Sequence, residues 1–320
     1  MIVMTPLALA ATVLVGIVTG SVTIPAYELW KVISGEGDAA YHTIFWDLRL
    51  PRVLVGLVTG ACLAASGALL QGVMRNPLAD PGIIGVTAGG GLAAVIALVL
   101  FPQHAVLLPA FAFGGALLSS LTIYLLAWDG SSSPVKIVLA GVAMNALLGA
   151  IMNGIMVLNS DRIQNVIPWL SGSLSGRSWP HLVFMIPYAA VGLMLTPFVA
   201  RVANMLVLGD QLSRSLGVRV ELQRFLIIVL SSLLAGAAVS VAGLIGFVGL
   251  IVPHAMRLVV GGNYYILLPF SIVGGAILTV LADTAARSLF DPLELPAGIL
   301  LACMGVPFFL YLLKRKREVR

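Results

Sequence analysis

Residues 52–74 read RVLVGLVTGACLAASGALLQGVM, with no charged side chain between Arg52 and Arg75. At about 1.5 Å per residue, a helix of this length crosses the ~30 Å hydrocarbon core of a bilayer. Nine further apolar stretches lie around it, at about 4–22, 83–101, 105–127, 136–158, 180–200, 222–241, 247–261, 266–288 and 296–313. Composition agrees: 60% of the 320 residues are apolar and 10% are charged, against roughly 25% charge in soluble domains. The sequence predicts an all-α polytopic membrane protein, one transmembrane domain over residues 1–320 with about ten spanning helices.

This composition excludes several classes. Disorder and collagen are ruled out by the apolar content and by 34 glycines without a three-residue period. The net charge of +5 does not indicate nucleic-acid binding, because the basic residues punctuate the apolar spans, where they set topology. Cys62 and Cys303 each sit in an apolar run and read as buried thiols; His42, His104, His181 and His254 are too scattered for a metal site. The first twenty residues lack a basic n-region and read as the first span, not as a signal peptide. An even number of spans puts both termini on one side, and Lys314, Arg315, Lys316 and Arg317 make that side cytoplasmic. Twelve basic residues then face inward, and six face outward: Lys31, Arg49, Arg52, Arg162, Arg177 and Arg287.

Four segments carry functional expectations. Ala65-Ser66-Gly67 followed by Pro77, and Val241-Ala242-Gly243 followed by Pro253, form a weak repeat whose copies begin on opposite sides, as in transporters with inverted halves. The stretch 76–91 holds Asn76, Pro77, Asp80, Pro81 and Gly82 in a non-helical turn. Its glycines resemble a phosphate loop, but no Gly-x4-Gly-Lys-Ser/Thr occurs anywhere, so the chain carries no recognisable ATP site. In 204–219, Asp210 is placed to cap a short helix that Gly217 ends, with Leu212 and Leu216 on one face. That helix reads either as a docking element for a soluble partner or as a connector lying on the bilayer.

Arg49, Arg52 and Arg287 run against the inward bias, which suits either a carboxylate-bearing partner or snorkelling to headgroups. Asp283, four residues before Arg287, reads most simply as its helix pair. In the fifth span Met144, Asn145, Gly149, Met152, Asn153 and Met156 lie on roughly one face, either lining a wide pathway or packing against a neighbour.

Read together, these segments resemble the iron-siderophore, haem and vitamin B12 permease family of ATP-binding-cassette importers. The matching strings are Arg49-Leu-Pro-Arg52, Ser66-Gly67 with Gln71, Asn76 to Gly82 with Gly85-Val86, and Leu208-Gly209 with Leu216-Gly217. Further on come Gly243, Gly246 to Leu250, Pro253-His254 with Arg257, Asp283 with Arg287, Glu294 to Gly298, and Gly305 to Phe308. They keep one order from about residue 45 to the C-terminus. The resemblance implies a homodimer in a bacterial or archaeal cytoplasmic membrane, with the pathway at the dimer interface. Two separate ATPase subunits would hold ATP and magnesium, and a binding protein would deliver a bulky metal chelate from outside. This chain would bind no cofactor. Arg49, Arg52 and Arg287 would meet carboxylates of the binding protein, the fifth span would line the pathway, and Leu208, Gly209, Asp210, Leu212, Arg214, Leu216 and Gly217 would seat in the ATPase. The rival class is an ion-gradient-driven secondary transporter.

Overall fold

The computed structural model describes residues 4–20, 25–129, 133–289 and 293–317. These residues form α-helices joined by short 3-10 and π turns, with no strand among them. Helices α1 (Met4–Val18), α2 (Ala26–Ser34) and α3 (Ala39–Thr43) lead through a π turn (Ile44–Arg49) into α4 (Leu50–Val73). A 3-10 turn (Pro81–Ile84) precedes α5 (Val86–Val95), which continues as a π turn to Leu100. Next come α6 (Leu108–Leu126), α7 (Pro134–Leu158), the single turn α8 (Ile167–Leu170) and α9 (Trp179–Val207). The short α10 (Asp210–Ser215) and then α11 (Val220–Ala242), α12 (Val248–Val260), α13 (Tyr264–Ser288) and α14 (Ala297–Arg317) complete the chain.

Among the described residues six helices are long and apolar enough to cross a membrane: Ala39–Val73, Pro102–Leu126, Pro134–Leu158, Trp179–Val207, Val220–Ala242 and Tyr264–Ser288. The other four predicted spans are shorter apolar helices, Thr5–Val18, Val86–Leu100, Val248–Val260 and Ala297–Phe308. The eighth is shortened because Gly243 and Phe247 both take positive φ, which no helix continues through. The end of the predicted first span, residues 21–22, and Arg320 of the basic tail lie outside the described residues. Cys62 is buried, whereas Cys303, expected to be buried, is exposed on α14, since this helix packs against the rest of the chain along one side only.

Two helices form the centre. The spanning window that contains α4 is 83% buried and that of α11 is 78% buried, against 11% for α7. Helix α4 lies against α9, α11, α12 and α13. Backbone approaches backbone at two places along it: a side chain at Gly60 would overlap the Gly275 carbonyl, and one at Gly67 the Gly249 carbonyl. Inside lipid such contacts are the main source of helix association, because apolar neighbours gain nothing by leaving hydrocarbon. Hydroxyls add hydrogen bonds: Ser66 donates to Ser231 O at 2.7 Å, and Ser120 pairs with Ser232. This frame holds the two ends of α4, some 24 residues apart, in fixed relation, and a polar site lies at each.

Candidate functional site

At the N-terminal end of α4 four arginines converge on a pocket of about 300 Å³: Arg49, Arg52, Arg177 and Arg287, with Ser175 and Glu294 beside them. The sequence suggested exposed guanidinium groups here. The structure corrects this: Arg49, Arg52 and Arg287 are only 5%, 8% and 5% exposed. Each has internal work. Arg49 donates from Nη1 to Ile17 O at 2.8 Å and Val18 O at 2.9 Å, and Arg287 donates to Gly16 O. Together they cap the C-terminus of α1, whose last carbonyls have no helical partner and carry the negative end of the dipole.

Arg52 is bidentate to Asp283, Nε to Oδ2 and Nη2 to Oδ1, both at 2.9 Å, and its Nη1 reaches Glu294 Oε2 at 2.9 Å. The predicted Asp283–Arg287 pair is therefore replaced by one across 231 residues, because both carboxylate oxygens already face the Arg52 fork. Glu294 also accepts from Ser175 Oγ at 2.9 Å. Burial resists charging Glu294, but Arg52, Ser175 and Arg287 prevail and hold its carboxyl below the usual range. Burial lowers the Arg177 pKa, yet arginine stays charged at any physiological pH. Among the described residues, Arg177 Nε and Arg287 Nε are buried without a hydrogen-bond partner. The pocket thus brings four guanidinium groups together with the carboxylates of Asp47 and Glu294, while Asp283 holds Arg52 without lining the pocket. Arg177, Ser175 and Glu294 were not singled out as site residues by sequence, since nothing in the loops 173–178 and 293–296 marks them as neighbours of Arg52.

At the other end of α4 sits α10, a short helix that Gly217 ends, as expected. Gly209 (φ +102°) precedes it and Gly217 (φ +82°) follows it, with the Val218 N–H closing onto Ser213 O. One expectation fails: Asp210 is the first helical residue, not the cap, and its side chain makes no capping bond. Its carboxylate instead accepts from Arg224 Nη2 at 2.8 Å and stands 3.7 Å from Arg75 Nη2. Arg224 is almost wholly buried, so its charge requires such a partner. Arg75 closes α4 at φ +49°, a position glycine usually fills. Ser213, fully buried, donates to Met205 O at 2.7 Å and Gly209 O at 2.8 Å, pinning α10 to α9. Leu208, Leu212 and Leu216 are exposed, and Arg214 pairs with Glu221 at 3.2 Å.

The turn between α4 and α5 is held by its own side chains. Asn76 Oδ1 accepts from Leu78 N, Asp80 Oδ1 accepts from Gly82 N at 2.9 Å, and Pro81 opens the 3-10 turn. Burial raises the Asp80 carboxyl, partly offset by the Gly82 N–H. Gln71 donates to Gly249 O and Leu250 O and accepts from Arg257, joining the end of α4 to α12.

The profile of the FecCD transport family matches residues 8–315. The chain belongs to this family. It is 41% identical over 293 residues to the Fe(3+)-citrate import system permease protein YfmD of Bacillus subtilis (strain 168), covering 88% of each chain. It is 43% identical over 280 residues to the cobalamin import system permease protein BtuC of Halobacterium salinarum, covering 87% of this chain and 75% of that one. Among solved structures, a metal-chelate type ABC transporter in an inward-facing conformation superposes with TM-score 0.86 at 30% identity, covering 97% of each chain.

In this FecCD-family chain the fifth-span residues divide. Met144, Met152 and Met156 pack against the chain's own core, and Asn145 Nδ2 donates to Gly82 O at 2.9 Å, bracing the turn. Gly149 has open space where a side chain would point, and Asn153 is exposed. Only these two of the six lie on the uncovered side of α7.

Proposed function

We propose that this chain is the membrane-spanning permease subunit of an ATP-driven importer for a bulky metal chelate, with ferric siderophores or ferric citrate first and haem or corrinoids next. The observation that carries the proposal is α10. It is a short rigid helix with exposed leucines, fastened to α4, α9 and α11 through Arg75, Ser213 and Arg224, so a push on it moves the central helices together. Two copies of the chain enclose the pathway, with the uncovered face of α7, including Gly149 and Asn153, turned toward it. Ten crossings place both termini and α10 in the cytoplasm. Two separate ATPases bind ATP and magnesium, take Leu208, Leu212 and Leu216 into a groove, and rock the halves between inward- and outward-open states. Each nucleotide state must prefer a different permease state, since only differential affinity shifts an equilibrium.

On the outer side a binding protein presents carboxylates to the arginine pocket. Arg49 and Arg287 donate to carbonyl oxygens of α1 there, and both guanidinium groups line the pocket that an incoming anion would enter. Arg52 already makes three charge-assisted bonds to Asp283 and Glu294 and acts as the fixed floor. The ion-gradient alternative requires an acid free to take up a proton or cation within the spans, and Asp283 has both oxygens on Arg52.

Mild extraction of a C-terminally tagged chain is expected to bring down a stoichiometric ATPase with a phosphate-binding loop. Uptake that survives ATP depletion and stops when the ion gradient collapses would overturn the proposal. Within that complex, Gly217→Val forces a β-branched residue into left-handed backbone. It is expected to abolish substrate-stimulated ATP hydrolysis and uptake while the protein remains folded; intact stimulation removes α10 from the coupling role. Arg49→Gln is expected to weaken binding-protein docking about tenfold, the worth of one charge-assisted hydrogen bond of ~1.5 kcal/mol, with basal ATP hydrolysis unchanged. Unaltered docking affinity takes Arg49 out of that interface.

A further inference from the structure

A second concavity lies at the α10 end, between the last turn of α6 and the first turn of α11. It is a groove of about 790 Å³ whose walls include Tyr124, Leu125, Trp128 and Phe225, with Arg214 and Arg219 at its rim. The aromatic rings form a continuous wall: Tyr124 lies 5.9 Å from Trp128 and 5.1 Å from Phe225 between ring centres. Leu125 and Trp128 are exposed.

The groove differs from the proposed ATPase seat. Arg214 stands ~200° around α10 from Leu212 and Leu216, so the exposed leucines point away from it. It also lies at the level where spans α6 and α11 both end, which is where aromatic side chains meet headgroups. Its charge is one-sided. Glu221 is committed to Arg214 at 3.2 Å and to Arg224 at 3.6 Å, and Arg219 is exposed, its side chain making no hydrogen bond or ion pair among the described residues. An apolar slot beneath unneutralised guanidinium is complementary to a molecule with a hydrocarbon chain below an anionic head.

We propose that this groove is a binding site for an anionic phospholipid, with an acyl chain along Leu125, Trp128 and Phe225 and the phosphate at Arg219. A bound lipid there would touch α6, α11 and the loop after α10 at once, and so bias the coupling element. The inference rests on the proposed topology only in assigning the lipid to the inner leaflet.

The test uses the purified complex in nanodiscs that carry dibrominated phosphatidylglycerol or dibrominated phosphatidylcholine in both leaflets, so the result does not depend on which side faces the cytoplasm. Trp128 emission is isolated as the difference between wild type and Trp128→Phe. The expected result is quenching about five-fold stronger with the anionic lipid, the preference one arginine near a surface confers. Arg219→Gln should remove the preference, and inorganic phosphate should fail to relieve the quenching. Equal quenching by both lipids, or a preference that survives Arg219→Gln, overturns the proposal. So does relief by inorganic phosphate, which would make this a phosphate site without an acyl slot. Absence of quenching by either lipid also overturns it, since a protein surface would then fill the groove.

Discussion

Asp283→Ala is expected to destabilise the protein by about 3–5 kcal/mol, the usual cost of stranding a buried charge. Both bidentate bonds to Arg52 vanish, and Arg52 keeps only the single contact to the half-exposed Glu294. Asp283 is only 3% exposed and does not line the pocket, so the face of Arg52 turned to it is the one water reaches least readily. The change is larger than ordinary surface ion pairs allow, because those contribute ~1 kcal/mol or less. Thermal unfolding in detergent should show a large fall in Tm, with loss of monodisperse protein. Replacing both partners, Arg52→Met with Asp283→Leu, should recover much of the stability, since an apolar pair leaves no unmatched charge. A single variant that melts with the wild type would mean that Arg52 is hydrated and that the pair is not structural.

Gly67→Val should be as severe by a different route, with a loss above ~3 kcal/mol. The new Cβ would lie inside the Gly249 carbonyl. Neither side can yield easily: α4 is covered on every face, and Gln71 holds the carbonyls of Gly249 and Leu250. Gly114→Ala in α6 provides the control, because nothing lies within 4 Å of its missing side chain. That substitution should be neutral or stabilising by up to ~1 kcal/mol. Size-exclusion profiles of the two variants, heated in parallel, separate overlap from a general intolerance of larger residues. Equal behaviour of both would show that the α4–α12 contact is looser than the structure has it.

The long helices were legible because hydrophobic run length is local information. Residues 52–74 announce α4 without any neighbour, and Gly217 announces the end of α10. The short spans were harder to delimit: Phe247 takes positive φ, a conformation its side chain does not advertise. Charge pairing was not legible at all. Arg287 has an acid at the favourable four-residue spacing, yet Asp283 turns to a residue 231 positions away, since the fork geometry of Arg52 outweighs sequence proximity. Asp210 looked like a cap for the same reason; a carboxylate at a helix start suits the dipole, and only the fold reveals Arg224 beneath it. Arg49 stood out in sequence by its charge, but its capping of α1 did not, because capping from 32 residues away follows no spacing rule.

The burial of α4 also has a consequence for isotope labelling. Its amides are shielded from water by four neighbouring helices and, beyond those, by the bilayer. Deuterium should therefore enter them last, after α7 and the loops, and at a rate insensitive to bilayer thickness. Slow exchange along α4 that persists through a full transport cycle would mark it as the part of the chain that stays closed while everything around it moves.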